Sequence, residues 1–116
     1  MTELVVERKA LLEGLDNDTQ LLNEVIGIFL ADYPGKLAEL RTAVATGNAQ
    51  HIASSSHALR GSISTFGAKA AVEAAHRLES MGRRGEMGGV EEAFSVLERE
   101  VALVASVLEQ IISDTF

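Results

Sequence analysis

Apolar residues recur along this chain at intervals of three and four, the spacing that places side chains on one face of an α-helix. The pattern is clearest near the C-terminus, where Val90, Phe94, Leu97, Val101, Val104, Leu108 and Ile111 alternate steps of four and three. Such a stripe is the seam of a helix bundle. Upstream, Leu21, Leu22, Val25, Ile28 and Phe29 set the period of a helix beginning at Asp18 or Thr19, and Leu37, Leu40 and Val44 continue it beyond Pro34. Proline lacks the backbone donor and disfavours helix at the residue before it, so the stretch reads as one kinked helix or two abutting ones. Gly47 followed by Asn48 has the form of a C′ glycine and the next N-cap. The next helix runs from Asn48 to Thr65 and stops at Gly67. Another opens at Ala68, carries Ala71, Val72, Ala75, Leu78 and Glu79, and fades at Gly82-Arg83-Arg84-Gly85, with Gly82 to Gly89 read as a turn or loop. A short amphipathic segment over residues 4–15, stopped by Gly14 and Asp16-Asn17-Asp18, supplies an accessory helix across one end.

Composition narrows the class. With 116 residues, 47% hydrophobic and 23% charged, the chain is expected to form one globular domain over 1–116, its bundle core spanning 18–113. Aromatics are only 4%, proline occurs once, and Ala, Leu and Glu are plentiful, which favours an all-α fold. Short connections between consecutive helices predict an up-down-up-down antiparallel four-helix bundle with the accessory N-terminal helix. There is no cysteine, so disulfides and thiolate metal sites are excluded. A net charge of −7 repels a phosphate backbone and argues against nucleic acid. No apolar run approaches the ~20 residues of a membrane span, and the N-terminus lacks a charged-then-apolar signal pattern. The expected location is the cytoplasm, with no membrane association.

The chemistry concentrates in Ser54-Ser55-Ser56-His57-Ala58-Leu59-Arg60-Gly61-Ser62-Ile63-Ser64. A helix turns about 100° per residue. With His57 at zero, Gln50, Ala53, Ser54, Arg60, Gly61 and Ser64 lie within roughly 60° of it, while Ile52, Leu59, Ile63 and Phe66 lie on the far side. The apolar set marks the core, so His57 points to solvent among small and polar neighbours. Gly61 inside a helix costs ~1 kcal/mol relative to alanine, which calls for a packing or functional reason. Arg60 offers planar donors suited to phosphate oxygens. A neutral imidazole keeps one ring nitrogen with a free lone pair, so it can act as a nucleophile. An ordinary surface histidine is the competing reading, weakened by Gly61 and Arg60.

His57-Ala58-Leu59-Arg60-Gly61-Ser62, then Phe66-Gly67-Ala68 and Arg77-Leu78-Glu79, resemble the histidine-containing phosphotransfer (HPt) domain of bacterial phosphorelays. The segment from Leu21 to Pro34 is similar to that family's long helix, and the resemblance covers roughly residues 10 to 112. It implies that His57 accepts the phosphoryl group, that Arg60 stands for the usual lysine and contacts the phosphoryl oxygens, and that Gly61 gives a partner room. Ile63 departs from the small residue often found there, but it lies toward the core. His76 and Glu79 lie three apart on one helix, which for a generic helix is a surface pair. Their placement is similar to the chemotaxis kinase phosphotransfer domain, which implies that Glu79 accepts a hydrogen bond from Nδ1 of the substrate histidine, with His76 a lesser member of the network. Ser54 and Ser64 flank the histidine and are expected to border the docking patch, with small and apolar residues of the long helix. His51 is a flanking residue.

The implied reaction is phosphoryl exchange between His57 and an aspartate of a response-regulator receiver domain, with a sensor histidine kinase as the other partner. Such transfer depends on positioning and charge neutralisation. The resemblance implies no cofactor on this chain, with the divalent metal, Mg, on the receiver, and it fits a monomeric carrier, not an enzyme with its own ATP site. No glycine-rich nucleotide loop is present. A chemotaxis-type kinase's substrate domain is the nearest alternative, favoured by His76 and Glu79; an end by residue 116 and the early segment speak against it. A non-phosphorylated adaptor would not need the intact His57 motif. A metal-binding bundle would need Glu-x-x-His pairs from two helices, and no second helix answers His76-x-x-Glu79.

Overall fold

The C-terminal seam is buried as its period requires: Val90, Phe94, Leu97, Val101, Val104, Leu108 and Ile111 all lie in one apolar core. The computed structural model describes residues 11 and 13–115, and the side chains up to 112. Four long helices follow one another, α1 (Thr19–Thr46), α2 (Ala49–Ser64), α3 (Lys69–Arg84) and α4 (Val90–Thr115), with no strand among the described residues. Each packs on its neighbours round a ring, α1 on α2, α2 on α3, α3 on α4 and α4 back on α1. Short turns between helices in that order give the up-down-up-down bundle. At ~1.5 Å per residue, the 28 residues of α1 span about 42 Å, the full 43 Å length of the molecule.

The helix ends follow the capping chemistry of the sequence. Asp18 caps α1 by accepting from Leu21 N–H at 2.9 Å, and Asn48 caps α2 by accepting from His51 N–H at 3.0 Å. Each side-chain oxygen satisfies a donor the first turn leaves orphaned. Gly47 closes α1 in the left-handed region at φ 67°, where glycine carries no Cβ penalty. Pro34 is accommodated within a single continuous helix. The Asp16-Asn17 stop adopts positive φ at both residues (54° and 60°), a conformation asparagine and aspartate tolerate better than most. Of the expected accessory helix over 4–15, residues 11, 13 and 14 are helical and Leu11 and Leu15 pack on the core; residues 1–10 and 12 lie outside the described residues.

Two expectations need correction. The buried face of α1 is Leu22, Ile26, Phe29, Leu37, Leu40 and Ala43, whereas Leu21 (39%) and Ile28 (65%) face solvent. The five residues span an arc of about 120° on the helix, but the core lies toward Leu22 and Phe29 and extends to Ile26, so Leu21 and Ile28 fall at the solvent edge of the arc. Second, α3 does not fade at Gly82 but continues through Arg84 and closes at Gly85, φ 69°. Gly82 is buried because α2 crosses there: a Cβ on it would lie 2.8 Å from Ala49 O and from Ala53 N. With Ala71, Ala74 and Ala75 also buried, α3 approaches α2 more closely than larger side chains would permit.

Candidate functional site

The α2–α3 contact fixes where His57 points. Ile52, Leu59 and Ile63 of α2 are fully buried, and Phe66 nearly so, which turns the opposite face outward. His57 stands on that face with its side chain 59% exposed. Glu79 reaches it from α3 and is itself only 3% exposed. Nδ1 of His57 lies 3.0 Å from Glu79 Oε2, and Arg83, one helical turn beyond Glu79, donates from Nη2 to the same oxygen at 2.5 Å. Arg60 approaches the other oxygen, Nε to Oε1 at 3.0 Å, as an ion pair whose N–H is not aimed for a hydrogen bond. One buried carboxylate thus gathers an imidazole and two guanidinium groups.

The contacts at Nδ1 determine the tautomer. Arg60 Nη2 is 3.2 Å from the same Nδ1 that faces Glu79. A bare Nδ1 lone pair could accept from Arg60, but it would then oppose the carboxylate lone pairs at 3.0 Å. Glu79 can only accept, and its bond with an N–H is charge-assisted. We therefore assign the proton to Nδ1, donating to Glu79, with Arg60 in contact and not hydrogen-bonded. Nε2 then carries the lone pair, and no hydrogen bond engages it among the described residues.

Burial by itself would push the Glu79 carboxyl pKa up. The His57 hydrogen bond and the charges of Arg60, Arg83 and His57 outweigh that effect and hold it below the ordinary value. The carboxylate is therefore ionised at neutral pH, which the assigned tautomer requires. Two guanidinium groups also make this a poor place for a cation, and no cluster of three or more His, Cys, Asp or Glu could hold a metal ion among the described residues.

The remaining predicted residues fall as follows. Gly61 is exposed, and a Cβ there would meet nothing within 4 Å, so packing does not explain it. Ser54 and Ser64 are exposed on the same face, their hydroxyls donating back to His51 O at 3.2 Å and Arg60 O at 2.8 Å. His51 is exposed on the flank. His76 is a correction: it is exposed and makes no hydrogen bond among the described residues. It precedes Glu79 by three positions, a rotation of about 60° that takes it from the buried α2–α3 contact into solvent. Arg83 is the member that sequence reading missed, because it was placed in a loop. The signal was present in the Glu79-x-x-x-Arg83 spacing, which joins the pair on one helical face once α3 runs past Gly82. Beside the site, Val25, Ile28, Phe29, Tyr33, Lys36 and Phe66 help line a groove of about 170 Å³ between α1 and α2, spanned by Lys36 Nζ donating to Ser62 Oγ at 2.7 Å.

Comparison with solved structures gives the same architecture in the crystal structure of histidine-containing phosphotransfer protein B (HptB) from Pseudomonas aeruginosa PAO1. The TM-score is 0.86 over 95% of this chain and 96% of that one, at 24% identity. Comparison with curated protein sequences gives no match. The family model of the Hpt domain matches residues 24–111, an interval that holds α2 and α3 whole, most of α1 and α4, and every residue of the cluster around Glu79. On that match the chain belongs to the Hpt domain family, the histidine phosphotransfer domains of phosphorelays.

Proposed function

We propose that this chain accepts a phosphoryl group on Nε2 of His57 and exchanges it with an aspartate of a receiver domain. The observation that carries the reading is the hydrogen bond from His57 Nδ1–H to the buried Glu79, which leaves the exposed Nε2 as the nucleophile. In the forward step the Nε2 lone pair forms the N–P bond while the P–O bond of the aspartyl phosphate breaks, its electron pair leaving on the carboxylate. The ring keeps its Nδ1 proton and becomes a phosphoimidazolium. Glu79 lies 3.0 Å from that developing positive charge and stabilises it, the part an acid plays behind a catalytic histidine. In the reverse step the electron pair returns to Nε2.

Arg60 is the phosphoryl-contacting cation in this reading, and Gly61 leaves space over the helix for the partner. Ser54 and Ser64 border the docking face, and the α1–α2 groove with exposed Ile28 extends it. The chain acts as a monomeric cytoplasmic carrier between a sensor histidine kinase and a receiver, and the receiver brings the divalent metal. Among the described residues no helix is long and apolar enough to cross a membrane. The Glu79 contact also favours a second use of the same chemistry, as the substrate domain of a chemotaxis-type kinase; the two differ in which donor loads His57.

The experiment is to mix the protein with a phosphorylated receiver and follow acid-labile, base-stable phosphate on the chain. Wild type should label and His57→Gln should not. Equal labelling of the two would end the proposal.

A further inference from the structure

Arg60 cannot do both of its jobs at once. Here it lies on the Nδ1 side of the imidazole, with Nε 3.0 Å from Glu79 Oε1 and Nη2 3.2 Å from Nδ1. A phosphoryl group would be attached across the ring, on Nε2. To reach its oxygens the guanidinium must swing off Glu79, and Oε1, which has no hydrogen bond, then loses its ion pair. The carboxylate is buried, and a buried carboxylate without a cation is destabilised. It would tend to take up a proton or to rotate, and either change releases Nδ1–H just as the ring becomes positive.

Arg83 is placed to prevent this. It lies on α3 with Glu79, four residues on, so it moves with the carboxylate and is independent of the side chain on α2. It donates to Oε2, the oxygen that receives His57 Nδ1–H. Its side chain is 64% exposed, and it occupies the last turn of α3, where a cation is favoured by the helix dipole. Nothing about Arg83 needs to change when Arg60 leaves.

Taking His57 as the acceptor, as proposed above, we infer that Arg83 is a positioning residue that keeps the Glu79 carboxylate on Nδ1 of His57 while Arg60 is engaged with the phosphoryl group. Arg60 and Arg83 share Glu79 in the resting protein, and Arg83 holds it alone during transfer.

The test uses the unphosphorylated protein first. Nitrogen-15 NMR of the His57 ring reports which nitrogen bears the proton, and Arg60→Ala imitates the departure of Arg60. Arg60→Ala should keep the Nδ1–H tautomer, whereas the Arg60→Ala/Arg83→Ala pair should raise the Nε2–H population on the order of tenfold over Arg60→Ala alone. In an otherwise intact chain, Arg83→Ala should slow transfer from a phosphorylated receiver on the order of tenfold, and Arg83→Lys should recover most of that loss. The Arg83 side chain is largely exposed, and circular dichroism checks that each variant folds. An unchanged tautomer ratio in the double variant, or an Arg83→Ala rate equal to wild type, overturns the inference. Failure of His57 to label at all is a separate result, since the ring spectrum does not depend on phosphoryl transfer.

Discussion

Four glycines stand inside the long helices of this bundle, Gly27 and Gly35 on α1, Gly61 on α2 and Gly82 on α3, and the two on the helices that carry His57 and Glu79 stand in opposite surroundings. Gly82 on α3 is buried, and a Cβ would strike the α2 backbone at Ala49 O and Ala53 N, both at 2.8 Å. Gly61 on α2 is exposed, and a Cβ would meet nothing within 4 Å. Both carry the helix penalty of glycine. At Gly82 close packing offsets it, and that packing brings Glu79, on the same helix, up to His57. At Gly61 no contact within 4 Å offsets it, as at Gly27 and Gly35 of α1, but Gly61 alone of these lies one turn from His57, where the proposed function gives it a use as room for the partner. Under the proposed function, the comparison separates a glycine that builds the site from one that keeps its approach open.

The largest effect should follow from filling the open position. Gly61→Leu leaves the helix and core intact but places a side chain over the approach to His57. Misplacing the reacting groups by about 1 Å can cost on the order of 10²-fold in rate, and a loss of that size is expected for transfer from a phosphorylated receiver. Labelling by a small acyl phosphate should fall far less, since a small donor does not need the space. Equal loss with both donors would mean that the substitution disturbs His57 itself and that Gly61 is not a clearance for the partner.

The crowded glycine should answer in stability. Gly82→Ala must push α2 and α3 apart, because the atoms it meets are backbone and cannot turn aside. Overpacking of this kind costs about 1–3 kcal/mol, enough to exceed the propensity alanine would contribute. Urea denaturation measures it directly, and a variant as stable as wild type would show that the two helices do not approach so closely.

This contrast was only half legible in the sequence. Rotation about the helix axis placed His57 outside and Ile52, Leu59 and Ile63 inside, because one turn of arithmetic suffices within a single helix. Gly47 and Asn48 announced their caps because capping is local chemistry. What failed involved a neighbouring helix. Gly82 read as a helix end because glycine is a breaker in isolation, and only the crossing of α2 explains why a helix would keep it. With that helix cut short, Arg83 dropped out of the site. His76 was drawn in for the converse reason: spacing brought it near Glu79, but spacing does not say which of the two turns toward α2. Ile28 was counted with the core because an apolar period carries no record of which members face water.

A third expectation concerns the charge that joins the two regions. Because its surroundings hold the Glu79 carboxyl pKa below its ordinary value, the ionised form is favoured by folding. A group whose pKa is lowered in the folded state contributes stability above its unfolded pKa and loses it as pH falls through the folded one. Wild type should therefore be more stable than Glu79→Gln at neutral pH, and the gap should close as acid is added below about pH 4.5. Denaturation of both proteins across that range checks the sign. A gap that stays constant would mean that Glu79 is not held ionised by His57, Arg60 and Arg83.

The smallest effect is the sharpest test of the comparison. Gly61→Ala adds one methyl group where nothing stands within 4 Å, in a helix otherwise supported by its buried face. Alanine restricts the unfolded chain and favours helix, so the variant should gain ~0.5–1 kcal/mol in urea denaturation. The same methyl group lies on the docking side, so receiver transfer should slow modestly while labelling by an acyl phosphate is kept. A rise in stability with a fall in partner-dependent transfer is the signature of a residue kept for what approaches it. Loss of stability on Gly61→Ala would place Gly61 with Gly82, as a packing glycine whose neighbour is not where the structure puts it.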